Sequence, residues 1–292
     1  MSSSKRTVTV RPIGTADLPQ VSAFLARNFP PNSPAEDWVA AWEEVNGRPC
    51  ADAPNHGMAL WAGREVVGAY TAIYSSRLIE ERPERFCNLA VWCVAPAYRS
   101  GSVRMLHALL AQDGYHFTDL SPTPAVQRLN LRLGFRYLDP SSHVMVNLPW
   151  PTLPGRLRVS SDPEEIAHVL TDEPLRNYRD HANCRWARHA VIVKGDSACY
   201  VQWRFESRKR LRCFAAIQHV SDPRLFRAGA RSLSRHLALH HNALFTVVDN
   251  HVAGGSISPS VPIAGPPRRM FKSATLRPRQ IDYLYSEITA AP

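Results

Sequence analysis

Residues 86–96, FCNLAVWCVAP, form an apolar run that stops at Pro96. Soon after it, SVRMLHALLAQ sets Val103, Leu106 and Leu110 at helical spacing. A buried strand that opens through a tight turn into a helix constrains the fold more than any other part of the chain. It needs a sheet to lie in and a layer for the helix to cover. The turn also carries chemistry, because the unpaired N–H groups of a helix's first turn and the positive end of its dipole make an anion site. Such a site suits a pyrophosphate, held by the loop over 94–104 with Val94, Arg99, Ser100, Gly101, Ser102, Val103 and Arg104, where the two guanidiniums add charge.

The flanking sequence supplies the sheet. Residues 6–12 alternate as a short strand, and TADLPQVSAFLARNF puts Leu18, Val21 and Leu25 on one helical face, with Thr15 or Asp17 as N-cap. A second helix is expected in EDWVAAWEEV. MALWAG and EVVGAYTAIY read as a hairpin on Gly63-Arg64. GYHFTDLSP is a strand; PAVQRLNLRLGF is a helix, with Pro124 in its first turn and Gly134 past its end; RYLDPSSHVMVNL is strand again.

Three prolines and a glycine at 149–155 then mark a boundary. The expected division is a first domain over 1–148, a linker over 149–157 and a second domain over 158–292. HAVIVKG, SACYVQWRF and RLRCFAAIQHV read as antiparallel strands, PRLFRAGARSLSRHLALHH as a helix and NALFTVVD as a strand. Both halves thus run hairpin, long strand, helix, strand, which reads as a tandem of two related α/β domains with mixed sheets.

Charge narrows the partners. The 292 residues carry a formal net charge of +10, favouring an anionic partner: nucleic acid, coenzyme A, or an acidic glycan or lipid. No apolar run is long enough to span a membrane, and MSSSKRTVTVRP has no signal-peptide core. The six cysteines form no CxxC pair and read as free thiols in a reducing cytoplasm.

LWAGREVVGAYTAIY, CVAPAYRSGSVRMLHALL and LNLRLGFRYLD, in that order across residues 7–148, resemble the second and third strands, cofactor segment and last helix of the GNAT (Gcn5-related N-acetyltransferase) superfamily. The resemblance implies a GNAT-like fold in the first half, and the shared order of elements extends that expectation to the second. It implies acetyl-CoA or another acyl-CoA as co-substrate, no metal, and acyl transfer to an amine or hydroxyl of a small molecule or sugar precursor, with a fourth-strand bulge near Cys93-Val94 presenting a backbone N–H to the thioester carbonyl. RSGSVRMLHALLAQDGYHFTDLSPTP is similar to divergent members associated with bacterial exopolysaccharide production, and an acidic acceptor would suit the basic chain. The rival reading is a catalytically silent acyl-CoA-binding sensor. A nucleic-acid role has no recognition motif behind it.

The chain departs from the family pattern where the chemistry lies. Ser102 and Arg104 replace two small residues of the phosphate loop, and Arg104 is expected to clamp a phosphate. Asn130 stands where many members place a tyrosine acid; an amide cannot give up a proton but can donate a hydrogen bond. Asp119 and Ser121, near the end of the strand GYHFTDLSP, are the remaining catalytic candidates; His116 and Tyr115 lie at its start. In the second half Asp222 and Pro223 occupy the matching helix start, so that half is degenerate and not expected to hold a cofactor. His236 and His240 have metal-ligand spacing without a recognisable third ligand, and residues 204–212 form a basic hairpin.

Overall fold

The computed structural model describes residues 8–28, 53–151, 157–208 and 211–290. The expected helix at EDWVAAWEEV and Cys50 lie outside the described residues. The fold class is mixed α/β, with two seven-stranded sheets. No helix among the described residues is long and apolar enough to cross a membrane.

Six strands come first: β1 (Val8–Pro12), β2 (Gly57–Ala62), β3 (Glu65–Ile79), β4 (Arg82–Val94), β5 (His116–Asp119) and β6 (Arg136–Tyr137). Eight follow: β7 (Ser142–Val146), β8 (Arg158–Ser160), β9 (Arg188–Lys194), β10 (Ser197–Arg208), β11 (Leu211–Val220), β12 (Phe245–Asp249), β13 (Val261–Pro262) and β14 (Met270–Lys272). The first sheet runs β1-β2-β3-β4-β5-β14-β6 and the second β13-β7-β12-β11-β10-β9-β8. Reversed, the second order matches the first place for place, with β7 standing where β14 stands. Each sheet therefore has its sixth place filled from a distant part of the chain. Compact units follow this exchange: one comprises Met1–Arg136, Met270–Leu276 and Tyr285–Pro292, the other Tyr137–Arg269 and Arg277–Leu284. The division falls ahead of the proline-rich segment because Ser142–Val146 pairs antiparallel with β12.

In the first unit, Gly63 at φ +68 closes the β2–β3 hairpin, with Ala62 opposite Glu65. β3 continues to Ile79, five residues beyond the apolar run that announces it, because its ladder with β4 persists to Ile79↔Arg82. The first long helix starts at Leu18. Extended Gly14 leads into a 3-10 turn over Thr15–Asp17, and the Gly14 N–H donates to Asp17 Oδ2 at 2.9 Å, so neither Thr15 nor Asp17 is the N-cap. That helix buries Val21, Phe24 and Leu25 against Ala59, Trp61, Ala69, Val91 and Cys93 on one face of the sheet.

In the second unit, helix Pro223–His241 lays Phe226, Ala230, Leu233 and Leu237 on Ile192, Val201, Trp203 and Ile217. Gly229 sets the approach: a Cβ there would lie 2.7 Å from Ile192 Cγ2. The opposite face packs Ile166, Leu170 and Tyr178 on Val191, Val193 and Tyr200. Burying side chains of this size stabilises by about 1.5–3 kcal/mol each.

Candidate active site

β4 and β5 are parallel and pair only through Phe86↔His116, Cys87↔Phe117 and Asn88↔Thr118. Beyond Asn88 the remainder of β4, through Val94, continues along β3 alone, so the two strands separate toward their C-terminal ends. A bulge interrupts the β3–β4 ladder between Tyr70 and Ala72, opposite Leu89–Trp92, where the Val91 N–H donates to Thr71 Oγ1 at 3.0 Å. Past the bulge the ladder resumes, and the Ala95 N–H donates to the Val67 carbonyl. Antiparallel alternation then turns the N–H of Val94 away from β3, to the side that β5 has left. The expected backbone donor at Cys93-Val94 is thus Val94, at the end of the strand. Cys93 points the other way, into the apolar cluster, where burial raises its thiol pKa.

The loop is tighter than a free turn. A 3-10 helix, Pro96–Gly101, runs directly into helix Ser102–Leu110, and the Ser102 N–H already donates to the Arg99 carbonyl. Gly101 lies against Leu60, whose Cδ2 would be 3.2 Å from a Cβ there. Arg99 and Ser100 are exposed, Ser102 is half-buried, and Val103 is 37% exposed. Arg104 is not turned to this loop: its Nη1 donates to the Val8 carbonyl at 3.2 Å.

The polar residues of the site gather where β5 ends. Asp119, 4% exposed, accepts 2.8 Å from Nδ2 of the fully buried Asn130, from helix Pro124–Arg132. Asn130 Oδ1 is buried and makes no hydrogen bond among the described residues. Ser121 donates its hydroxyl to Glu287 Oε1 at 2.8 Å, and the Glu287 N–H donates to Asn88 Oδ1 at 3.0 Å. Asn88, the last β4 residue paired with β5, passes the chain on to Thr118 Oγ1 at 3.0 Å. Asp119 has its pKa pushed up to about 8, first by burial and then by the Glu287 carboxylate, against smaller opposing hydrogen bonds from Asn130 and the Ser121 backbone. Tyr70, stacked on Trp92 at 4.5 Å, is held well above its ordinary pKa by burial and by the same two carboxyls.

The candidates thus divide. Asp119, Asn130 and Ser121 come together in one hydrogen-bonded group, which Glu287 joins. His116 pairs instead with Glu84 at 2.9 Å, and Tyr115 packs edge-on against Tyr74. Glu287 has no local sequence signal: it lies 166 residues from Ser121 in a tail without a motif.

In the second unit Asp222 caps helix Pro223–His241, accepting from the Arg224 and Leu225 N–H groups, so a carboxylate holds the place where an anion would bind. His236 and His241 both meet Ser161 Oγ, at 2.8 and 3.0 Å, and burial helps push His236 down to about 4. Among the described residues no group of three or more His, Cys, Asp or Glu is placed to hold a metal. Cys87, Cys93 and Cys199 are buried thiols outside any disulfide.

The separated fourth and fifth strands, the fourth-strand bulge and the strand–3-10–helix connection sit in a fold shared with solved structures. A GCN5-related N-acetyltransferase from Kribbella flavida superposes with TM-score 0.56 at 17% identity, over 93% of this chain and 72% of its own. The fold is that of the GCN5-related N-acetyltransferases. A second such enzyme, from Anabaena variabilis, gives 0.54 at 14% identity over 91% of this chain and 72% of its own. A conserved protein of unknown function from Enterococcus faecalis gives 0.59 at 14% over 94% and 74%. No family model matches the sequence, and no curated protein matches it.

Proposed function

We propose that the first unit transfers an acyl group, acetyl or longer, from acyl-CoA to an amine or hydroxyl of a small molecule or sugar precursor. The observation that carries this reading is the parting of β4 and β5 between a helix start and a buried carboxyl group. The cofactor pyrophosphate lies on residues 99–103, its arm enters between β4 and β5, and the Val94 N–H meets the thioester carbonyl. Positioning and that donor supply much of the rate. Asp119, protonated at neutral pH, takes the part that Asn130 cannot, giving a proton to the departing thiolate. Asn130 holds Asp119 in place.

The remaining readings rest on less. The matching sheet orders support two copies of one fold, the second without a phosphate loop. Buried free thiols suit a reducing cytoplasm. The charge of +10 suits an acidic acceptor, a glycan precursor among them.

Ser102→Asp tests the cofactor site. A carboxylate in the first helical turn should favour the helix dipole and raise the melting temperature slightly, while weakening acetyl-CoA binding by about tenfold or more through like-charge repulsion. Unchanged affinity by calorimetry would remove this loop from the site. The Ser102 N–H already bonded to Arg99 favours one rival, a protein that binds acyl-CoA without turning it over. Incubation with acetyl-CoA, an amine panel and a thiol reagent separates them: released thiol means an enzyme, tight binding without release a sensor.

A further inference from the structure

We propose that the second unit binds a small neutral ligand carrying an amide, its N–H beside its C=O, through the side chains of Gln202 and Gln218. The inference is independent of what the first unit does.

The second sheet has an opening of its own. β11 and β12 pair from Phe214↔Phe245 to Ile217↔Val248, and from Gln218 onward β11 runs along β10 alone. A bulge lies at the same point. Gln202 is opposite His219 and Trp203 is opposite Ile217, so Gln218 is the extra residue. Ile217 and Val220 both pack in the cluster that helix Pro223–His241 covers, which leaves Gln218 and His219 to the other face. Gln202, between Val201 and Trp203 of that cluster, turns the same way, and β9 sets His189 opposite it.

The amides at this point are buried without their hydrogen bonds. Gln202 is 1% exposed, and neither its Oε1 nor its Nε2 has a partner among the described residues. Exchanging the two atoms changes nothing, since both are unpaired. Gln218, 3% exposed, leaves its Oε1 unpaired and gives its Nε2 only a 3.4 Å bond to the Ala216 carbonyl. Buried amides are almost always satisfied, and each unpaired atom disfavours folding. A ligand with a donor and an acceptor side by side meets both ends of the Gln202 carboxamide at once.

Aromatic rings stand on the same face. His189 Nδ1 lies 2.9 Å from the Tyr200 hydroxyl, and Tyr178, from helix Asp172–His181, sits edge-on to both rings at 5.3 and 5.9 Å. His219 lies 5.8 Å from the Tyr200 ring. Such walls suit a flat, uncharged group. An anion is disfavoured, because the Asp222 carboxylate already occupies the helix start that follows β11.

The test uses the full chain, isotope-labelled for nuclear magnetic resonance, and a pair of probes. One is δ-valerolactam, a ring amide; the other is δ-valerolactone, the same ring without the N–H. The lactam should shift the Gln202 side-chain amide signal saturably, with a dissociation constant of about 1–10 mM, in keeping with so small a molecule. The lactone should bind at least about fivefold more weakly, and coenzyme A should leave the signal in place. Gln202→Leu should abolish the lactam's effect on neighbouring signals while melting at or above the wild-type temperature, because its unpaired polar atoms are gone. Gln218→Leu should weaken the lactam by about threefold or more, and it keeps the test open where Gln202→Leu does not fold. The absence of a saturable lactam shift overturns the proposal, and magnetisation transfer from water to that amide then shows what satisfies it. Equal binding of the lactone, or a shift with coenzyme A, overturns the ligand class. Undiminished lactam binding in a folded Gln202→Leu chain overturns the site.

Discussion

Asp119→Asn is expected to lose most turnover and, at pH 8, to gain heat stability. The two effects share a cause. A general acid contributes about 10²- to 10⁴-fold, and an amide in its place keeps the hydrogen bond with Asn130 but has no proton to give. The carboxyl's ordinary value of 3.8 rises to about 8 in the folded protein, so between those values the folded state holds a proton that the unfolded state has released. The stabilising contribution is complete below pH 4 and disappears as pH climbs through 8. Every tenfold gain in proton affinity on folding corresponds to about 1.4 kcal/mol, and structural relaxation reduces the sum to a few kcal/mol. Melting curves of the wild type should therefore fall from pH 5 to pH 8 by several degrees more than those of the variant, with the variant ahead at pH 8. Parallel curves would mean that Asp119 titrates normally and is no proton donor at neutral pH.

Asp119 was legible in the sequence because it stands where an apolar strand ends, and Asn130 because Gly134 and Phe135 fix its register on the preceding helix. The strand–turn–helix at 86–112 was legible for the same reason: periodicity is a local property. Glu287 was not, since it meets Ser121 and Asn88, which folding brings to it from far along the chain. Nor was the exchange of β7 and β14. Alternation at Ser142–Val146 says that one face is buried, and it says nothing about which sheet does the burying. The direction of Arg104 fell outside the pattern too. Spacing places a guanidinium in the first helical turn, but the partner it finds is the Val8 carbonyl.

Arg269→Met should be the most damaging single change in the second unit, costing about 3–5 kcal/mol and roughly 10 °C in melting temperature. Asp249 ends β12 as Asp119 ends β5, and it is as deeply buried, at 7% exposure. Its surroundings differ in carrying a cation. Arg269 Nε donates to Asp249 Oδ2 at 2.7 Å while Ser142 and the Tyr283 hydroxyl donate at 2.5 and 3.0 Å, and the guanidinium also stacks on the Tyr283 ring at 4.4 Å. Methionine keeps the apolar stem and removes the cation, leaving the buried Asp249 carboxylate without its charged partner. Asp249→Asn in the same chain should therefore recover most of the loss. No recovery would show that packing on Tyr283 rather than charge is what Arg269 supplies. The two strand-end aspartates then separate by environment: Asp249, beside a cation, holds the fold, and Asp119, buried beside the amide of Asn130, holds a proton.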